Sequence, residues 1–117
     1  GPVVRDPVRL DLPPAHREGI GLAGEVLFAD RYGNLQTNIG RAAFDSLGVR
    51  VGGTIRVEIE GKAENAPVVR AYGDVPLGSL LLLVASTDRI EIAMNQASAA
   101  THFAAGPGAA VLLLPVP

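Results

Sequence analysis

The chain has 117 residues, a length that fits one domain able to bury about two thirds of its extended-chain surface without disulfides. It has no cysteine, which excludes thiolate metal sites and thiol nucleophiles, and its net charge of −2 leaves no basic stripe for nucleic acid. The longest apolar run has six residues, whereas a membrane helix needs about twenty, and no basic n-region precedes an apolar h-region. We therefore expect a cytoplasmic domain that binds neither nucleic acid nor membrane.

The first half of the chain begins with a proline-rich segment and continues with strands. Residues 1–19 carry four of the nine prolines and scattered charges, a composition typical of an extended tail or interdomain linker. Strands are then predicted at about 22–29 and 35–39. A short helix is predicted over 41–47, because its helix-forming residues place an apolar face on one side and Gly48 follows as a stop signal.

The second half of the chain is also rich in short strands. Residues 54–59 alternate apolar and charged side chains, which predicts a strand with one face in water. The run 80–85 lacks alternation, so we expect a strand that is buried on both faces. Other strands are predicted at 66–72, 89–93 and 109–114, with a second short helix at about 95–103. Residues 20–117 are thus predicted to be mainly β, as an antiparallel barrel or sandwich with one or two short helices.

The corner between the first two strands concentrates polar and aromatic side chains. Asp30, Tyr32, Asn34 and Gln36 surround Gly33 in a chain with only two tyrosines and three phenylalanines. An aromatic ring that stacks, an amide that reads a base edge and a carboxylate that holds an ammonium group suit an adenosine-like, amino-acid-bearing ligand. The alternative is a structural hairpin, in which Asn34 sits in a left-handed turn and Asp30 caps a backbone amide. The spacing alone leaves both interpretations open.

Four motifs resemble one family. Residues 30–38 (DRYGNLQTN) resemble the "DRFGN…TN" signature of the carboxy-terminal domain of the S-adenosylmethionine hydrolases (adenosine-forming), relatives of the fluorinase and chlorinase. Residues 72–78 (YGDVPLG) resemble "FADV..G", residues 85–95 (ASTDRIEIAMN) resemble "NSSGRLEIAVN", and residues 96–100 (QASAA) resemble "GGSAA". The motifs follow the family's order over roughly residues 19–114. The resemblance implies a small antiparallel β-barrel, in agreement with the strand pattern.

The resemblance also implies which residues bind S-adenosylmethionine. Asn34 matches the asparagine whose carboxamide binds the adenine edge, and Tyr32 and Tyr72 match phenylalanine positions that flank the base. Asp30 and Ser86 match residues that hold the ammonium and carboxylate of the methionine part. Residues 94–97 match a strand–helix junction whose backbone contacts the adenine. The predicted substrate-binding set is Asp30, Tyr32, Asn34, Tyr72, Ser86, Thr87, Met94 and Gln96.

The sequence departs from the family pattern at several of these positions. Tyr32 and Tyr72 replace phenylalanines, so each hydroxyl needs a partner or water if it is buried. Asp88 stands where the family has glycine, and Ala85 where it has asparagine. The carboxylate of Asp88 is expected either to repel the ligand carboxylate or to pair with Arg89.

The function implied by the resemblance is hydrolysis of S-adenosylmethionine to adenosine and methionine. The catalytic residues of the family lie in an amino-terminal domain that nothing in residues 1–117 matches, so we expect no catalytic residue in this chain and no activity of the chain alone. The resemblance implies that this domain, from the same or a neighbouring subunit, is a partner, and that the full-length protein is a homotrimer. Because the chain begins with Gly1, we expect it to be a piece of a longer protein.

Alternatives to a hydrolase domain remain open. An S-adenosylmethionine-dependent halogenase domain shares the implied adenosine-binding site, although Glu91 fits the hydrolase pattern "RLEIA" better than the halogenase-like "RLALG". A non-catalytic ligand-binding or oligomerisation barrel is the alternative from another class. No metal and no cofactor are expected, since His16 and His102 are the only histidines and have no clustered acids.

Overall fold

A computed structural model describes residues 14–117, which form an 8-stranded antiparallel sheet curved into a nearly closed barrel. The strands are β1 (His16–Glu18), β2 (Gly21–Ala29), β3 (Leu35–Gly40), β4 (Thr54–Ile59), β5 (Lys62–Pro67), β6 (Leu80–Val84), β7 (Arg89–Met94) and β8 (Ala110–Pro115). The short helices are α1 (Arg41–Asp45) and α2 (Ala99–Phe103), and a single 3₁₀ turn spans Tyr72–Asp74. The predicted fold class, a small antiparallel β-barrel with short helices, is confirmed.

The sheet follows the order β5-β4-β8-β2-β3-β7-β6, and β1 pairs with β2 outside this path. The last strand, β8, therefore lies in the interior of the sheet, hydrogen-bonded to β4 on one side and to β2 on the other. The two ends of the path approach each other where Val68 forms a parallel bridge with Leu82 and the Val69 amide donates to the Leu82 carbonyl at 2.9 Å. This contact nearly closes the barrel.

The core follows from the alternation of the strands. Ile55, Val57 and Ile59 of β4 are fully buried, while the residues between them face outward, as the pattern of 54–59 predicts. Phe44 of α1 and Phe103 of α2 are also buried in this core. None of the helices within residues 14–117 is long and apolar enough to cross a membrane.

Strand β6 is buried on both faces, as predicted from its unbroken apolar run. Leu80 and Leu82 belong to the barrel core. Leu81 and Leu83 face the other way and form a second, smaller cluster with Val75 and Ala93. The segment that contains the 3₁₀ turn thus covers the outside of the barrel at β6 and β7, and it places Tyr72 on that outer surface.

Three predictions differ from the structure. The strand expected at 66–72 is β5, which ends at Pro67, because β5 is an exposed edge strand without the apolar alternation that marks a half-buried strand. The helix expected from residue 95 begins at Ala99, because the residues before it form a turn. Strand β1 lies inside the segment 1–19, which was predicted as a tail, and it pairs with β2. Residues 1–13 of that segment lie outside the described residues.

Candidate functional site

An open cleft of about 940 Å³ lies on the outer surface of the barrel. It is bounded by the β2–β3 corner, by the 3₁₀ turn and by the segment that joins β7 to α2. The residues that line it are Asp30, Tyr32, Asn34, Tyr72, Gly73, Met94, Asn95, Gln96, Ala97 and Ser98. This is the larger of the two principal surface cavities in the described part of the chain.

The β2–β3 corner is held by the carboxylate of Asp30. Its Oδ1 accepts hydrogen bonds from the backbone amides of Tyr32 at 2.9 Å and Asn34 at 3.0 Å. The backbone of Asp30 also exchanges bonds with Gly33 and Asn34. Gly33 takes the left-handed conformation, with φ of 82°. Asp30 is therefore the backbone cap that the structural interpretation predicted, but the left-handed residue is Gly33 and not Asn34.

The carboxamide of Asn34 is turned into the protein. The residue is only 6% exposed, and its Nδ2 donates to Oδ2 of Asp30 at 3.1 Å and to the Tyr72 hydroxyl at 3.4 Å. Both hydrogens of the amide nitrogen are thus used inside the protein, and the carbonyl oxygen Oδ1 takes no part in these two contacts. Since Asn34 lines the cleft, Oδ1 is the atom of this side chain that has capacity left for a ligand.

Five side chains form a closed circuit of hydrogen bonds beneath the cleft, which we call the polar ring: Asp30, Asn34, Tyr72, Glu91 and Gln36. The Tyr72 hydroxyl donates to Oε2 of Glu91 at 2.5 Å. Nε2 of Gln36 donates to Oε1 of Glu91 at 2.8 Å and to Oδ2 of Asp30 at 3.5 Å. The contacts of Asn34 with Asp30 and Tyr72 close the circuit. The carboxylates of Asp30 and Glu91 are thereby held in one network, and the neighbouring donors already form hydrogen bonds with them.

Tyr72 has a strongly perturbed hydroxyl. Burial raises the pKa of Tyr72 from its usual 10.0 to about 12, and the hydrogen bond from the hydroxyl to Glu91 and the negative charges of Glu91 and Asp30 act in the same direction. Because this pKa is higher in the folded state, the unfolded chain releases the proton first as the pH rises. The stability that Tyr72 contributes is therefore complete below pH 10.0 and is lost between there and about 12.

Tyr32 forms the exposed wall of the cleft. Its side chain is 65% exposed, and its hydroxyl accepts a hydrogen bond from Arg31 at 2.8 Å. The guanidinium carbon of Arg31 also lies 4.9 Å from the centroid of the Tyr32 ring, within the range of a cation–π contact. Each tyrosine that replaces a phenylalanine of the family pattern thus has a partner for its hydroxyl.

The opposite wall is the segment between β7 and α2. Gln96 has a positive φ of 56°, and Ala97 bridges back to Met94. Ser98 is the N-cap of α2, where its hydroxyl accepts from the Thr101 amide at 3.0 Å. The carbonyl of Gly33 accepts from the Ala100 amide at 2.9 Å, which ties the β2–β3 corner to the start of α2. The two walls of the cleft are therefore connected through backbone contacts.

We expect Ser98→Ala to lower the free energy of unfolding by about 1 kcal/mol, because it removes the N-cap hydrogen bond of α2. Urea denaturation measures the effect. Ser86→Ala, in the exposed turn between β6 and β7, is the matched control and should stay within about 0.5 kcal/mol of the unmodified chain. Equal stabilities for the two variants would contradict a capping role for Ser98.

The structure brings most of the predicted substrate-binding residues together. The predicted residues that line the cleft are Asp30, Tyr32, Asn34, Tyr72, Met94 and Gln96. Ser86 and Thr87 lie elsewhere, in the exposed turn that precedes β7. Met94 is at the other end of this six-residue strand, and a strand of that length spans about 17 Å. The assignment of Ser86 and Thr87 to the methionine end of a ligand stays a prediction.

The cleft also contains residues that the sequence did not single out. Ser98 and Asn95 line it, and the sequence had placed both inside the helix predicted at about 95–103, so the N-cap position of Ser98 was not recognised. Gln36 and Glu91 oppose each other directly on β3 and β7. Their pairing had no signal in the sequence, since it depends on the register between two strands that are far apart in the chain.

Asp88 has a different partner from the one predicted. Its carboxylate pairs with Arg41 at 2.7 Å instead of with Arg89, and its backbone carbonyl accepts from the Arg41 amide at 2.9 Å. The hydrogen bond from the Arg41 side chain to the Asp88 carboxylate and the charge of that carboxylate raise the pKa of the Arg41 guanidinium above its usual value. The pair is exposed, so it fixes the start of α1 to the β6–β7 turn more than it adds stability.

Comparison with known proteins identifies the family. Residues 24–112 match the model of the SAM hydroxide adenosyltransferase C-terminal domain, a match that covers most of the chain and nearly all of the barrel. The chain belongs to this family. The membership confirms the resemblance that the four motifs indicated, and all five residues of the polar ring lie within the matched region.

Two hydrolases are similar to this family member in sequence. The (R)-S-adenosyl-L-methionine hydrolase of Salinispora tropica is 37% identical over 101 residues, which cover 86% of this chain and 36% of the hydrolase. The protein of the same name from Thermus thermophilus is 37% identical over 114 residues, which cover 97% of this chain and 40% of the hydrolase. The chain thus spans well under half the length of either enzyme.

Solved structures share the barrel of this family member. A crystal structure of an uncharacterized conserved protein from Thermotoga maritima has a TM-score of 0.86 at 31% identity, covering 89% of this chain and 40% of the other. A crystal structure of a conserved hypothetical protein from Thermus thermophilus has a TM-score of 0.64 at 38% identity, covering 88% and 38% respectively. Each of these proteins is also much longer than this chain.

Proposed function

We propose that the cleft binds the adenosine part of S-adenosylmethionine, and that the chain serves as the carboxy-terminal part of an enzyme that hydrolyses this substrate to adenosine and methionine. The observation that carries the proposal is the pair of exposed aromatic rings that line the cleft together with a fixed carboxamide. Tyr32 is 65% exposed and Tyr72 is 42% exposed, and both line the cleft together with Asn34. Aromatic faces stack on a purine, and each such contact contributes about 1–3 kcal/mol.

The orientation of the Asn34 carboxamide supports adenine as the base. Both hydrogens of Nδ2 are donated to Asp30 and Tyr72, so Oδ1 is left as an acceptor. An acceptor complements the exocyclic amino group of adenine and opposes the carbonyl that a 6-oxopurine has at the same position. The cleft is therefore expected to prefer adenosine to inosine.

The charge of the cleft supports a cationic ligand. Asp30 is the only charged residue among those that line it, and the buried carboxylate of Glu91 lies just beneath. S-adenosylmethionine carries a sulfonium and an ammonium group, and nearby carboxylates favour such charges. No lysine or arginine is among the lining residues that would oppose them.

The proposed reaction is a displacement at the 5′ carbon of the ribose. Water attacks this carbon, the new carbon–oxygen bond forms as the carbon–sulfur bond breaks, and the bonding electron pair returns to sulfur, so that methionine leaves as a neutral thioether. A base must accept the proton of the water. Asp30 and Glu91 are already committed to the polar ring, so this chain contributes binding and orientation.

The catalytic groups are accordingly expected on an amino-terminal domain of the same or a neighbouring subunit, and the chain alone is expected to be inactive. Assembly of the full-length protein as a homotrimer and its place in the cytoplasm stay predictions. No cofactor is proposed, because the sulfonium itself is a sufficient leaving group.

The binding half of the proposal is tested by two aromatic substitutions. We expect Tyr32→Ala to weaken adenosine binding to this chain by about tenfold, the loss of one stacking contact. Phe28→Ala is the matched control, because Phe28 is also an exposed aromatic, at 52%, but does not line the cleft. Isothermal titration with adenosine measures the affinities of the two variants, and titration with inosine measures the expected preference for adenosine. Equal affinities of the two variants for adenosine would contradict the assignment of the cleft.

The catalytic half is tested in a chimera. The 114-residue segment of the Thermus thermophilus hydrolase that matches this chain is replaced by the chain, and products are followed by mass spectrometry in buffer that contains chloride. We expect adenosine from the chimera and none from the chain alone. A halogenated nucleoside would favour the halogenase alternative. Turnover by the chain alone would contradict the proposal that the catalytic groups lie on an amino-terminal domain.

A further inference from the structure

Glu91 is a buried carboxylate that the proposed binding contacts do not use. It is 4% exposed and lies opposite Gln36 in the register between β3 and β7. The next pair along the two strands, Leu35 and Ile92, is fully buried in the barrel core. Because side chains alternate across a strand, Glu91 and Gln36 face the outside of the barrel wall, where the polar ring and the cleft lie.

The donors and acceptors of the polar ring match one another. Carboxylates only accept hydrogen bonds, so the two carboxylates of the ring need donors from each of their neighbours. Gln36 supplies one amide hydrogen to Asp30 and one to Glu91. Asn34 supplies one to Asp30 and one to the Tyr72 hydroxyl, which in turn donates a hydrogen bond to Glu91. In this circuit the two carboxamides only donate and the two carboxylates only accept, and this fixes the orientation of both carboxamides.

We propose that Glu91 is a positioning residue of the cleft: its buried carboxylate holds the Tyr72 hydroxyl and the Gln36 amide, and through them keeps the Tyr72 ring and the Asn34 carboxamide in the orientation that receives a ligand. The proposal rests on the proposed function for the identity of that ligand. Glu91 itself is not among the residues that line the cleft, so it acts through its neighbours.

The backbone that carries Tyr72 has separate anchors. Oδ2 of Asp74 accepts from the amides of Arg70 at 3.3 Å and Ala71 at 3.2 Å. Nδ2 of Asn95 donates to the Val75 carbonyl at 2.8 Å. Removing the Glu91 carboxylate is therefore expected to release the side chain of Tyr72 while the 3₁₀ turn stays in place. This separation allows a positioning role to be distinguished from a role in folding.

Glu91→Gln is the informative substitution because it preserves shape. An amide at this position still accepts one hydrogen bond through its oxygen, but its nitrogen can only donate. If the oxygen keeps the bond from Gln36, the nitrogen faces the Tyr72 hydroxyl, and the hydroxyl proton loses its acceptor. Glu58→Gln is the matched control, since Glu58 is a partly buried strand glutamate that pairs with Arg56 and does not line the cleft.

The first measurement is the ionisation of Tyr72, followed by ultraviolet absorbance in the Tyr32→Phe background, where Tyr72 is the only tyrosine. The charged groups that act on its hydroxyl are Glu91 and Asp30. With Glu91 present, the pKa of Tyr72 is expected at about 12, and with Glu91→Gln it is expected to fall, because the hydrogen bond and the charge of Glu91 are lost while burial of the hydroxyl remains. Far-ultraviolet circular dichroism at each pH restricts the comparison to folded protein.

The second measurement is adenosine affinity by isothermal titration in chains that retain Tyr32. We expect Glu91→Gln to weaken binding by about tenfold and Glu58→Gln to leave it unchanged. Thermal melting at neutral pH is expected to show both variants folded. A lower pKa of Tyr72 together with weaker adenosine binding in Glu91→Gln alone supports the proposal.

Other outcomes overturn it. An unchanged pKa of Tyr72 in Glu91→Gln means that the carboxylate does not hold the hydroxyl. A lowered pKa with unchanged adenosine affinity means that the contact has no positioning role. If the unmodified chain binds no adenosine, the proposed function fails, and the Tyr72 titration still decides whether Glu91 holds the hydroxyl.

Discussion

Gly33→Ala is expected to lower the free energy of unfolding by roughly 2–5 kcal/mol. Gly33 has a φ of 82°, which costs an alanine about 1–2 kcal/mol. A Cβ at this position would lie 2.0 Å from Oγ and 2.6 Å from Cβ of Ser98, and such overpacking costs about 1–3 kcal/mol more. Since Gly33 and Ser98 belong to opposite walls of the cleft, adenosine binding is expected to be lost as well. Chemical denaturation and calorimetry measure the two effects.

The control for Gly33→Ala is Gly61→Ala, which separates backbone strain from steric conflict. Gly61 has nearly the same φ, 83°, but an added Cβ there meets nothing within 4 Å. It should therefore cost only the conformational part, about 1–2 kcal/mol. Adding Ser98→Gly to Gly33→Ala removes the clashing side chain and should restore part of the difference. Equal costs for Gly33→Ala and Gly61→Ala would show that the two walls are not in tight contact.

Asn34→Asp is expected to weaken adenosine binding by about a hundredfold and to destabilise the chain by roughly 2–4 kcal/mol at neutral pH. The substitution keeps the shape but replaces the donor Nδ2, which lies 3.1 Å from Oδ2 of Asp30, with a carboxylate oxygen. A third carboxylate then joins those of Asp30 and Glu91, and the Tyr72 hydroxyl loses the hydrogen bond from Asn34. Denaturation and titration calorimetry measure stability and affinity.

The pH dependence of the free energy of unfolding of Asn34→Asp identifies the cause of its destabilisation. The neighbouring carboxylates raise the pKa of the introduced carboxyl in the folded state above its unfolded value of about 3.9. The penalty is therefore absent below that value and grows as the pH rises through the folded-state pKa. Asn65→Asp, on the exposed strand β5, is the matched control and should show little change. A penalty that is equally large at acid and neutral pH would exclude charge repulsion as its cause.

The sequence predicted those strands in which the pattern of buried and exposed residues is regular. The alternation in β4 and the continuous apolar run of β6 were both interpreted correctly, because water covers one face of the first and neither face of the second. Strand β5 was placed several residues too late, because it is an edge strand whose outward residues are nearly all polar. Its pairing depends on β4, and no periodicity within the segment itself indicates this.

For the candidate site, too, the sequence indicated contacts within one motif but not contacts between distant segments of the chain. Asp30 and Asn34 stand in one short motif, so the sequence indicated that they lie close together, and capping by Asp30 was one of the two interpretations that it left open. The link from this corner to Glu91 passes through a cross-strand pair and through Tyr72, far away along the chain. Such contacts are set by strand register and by the path of a loop, and neither follows from local composition.

The interior position of β8 has a consequence for how the chain folds during its synthesis. The sheet order puts β4 and β2 on either side of this strand, so until it is in place the pieces β5-β4 and β2-β3-β7-β6 meet through the short contact of Val68 and Val69 with Leu82 and not through a ladder of paired strands. Pairing of Leu22 with Leu113 also joins nearly opposite ends of the chain, and such non-local contacts slow folding. On the ribosome, the complete barrel is therefore expected to form only after residues 110–115 have emerged, and removal of this strand is expected to cost the domain its cooperative unfolding.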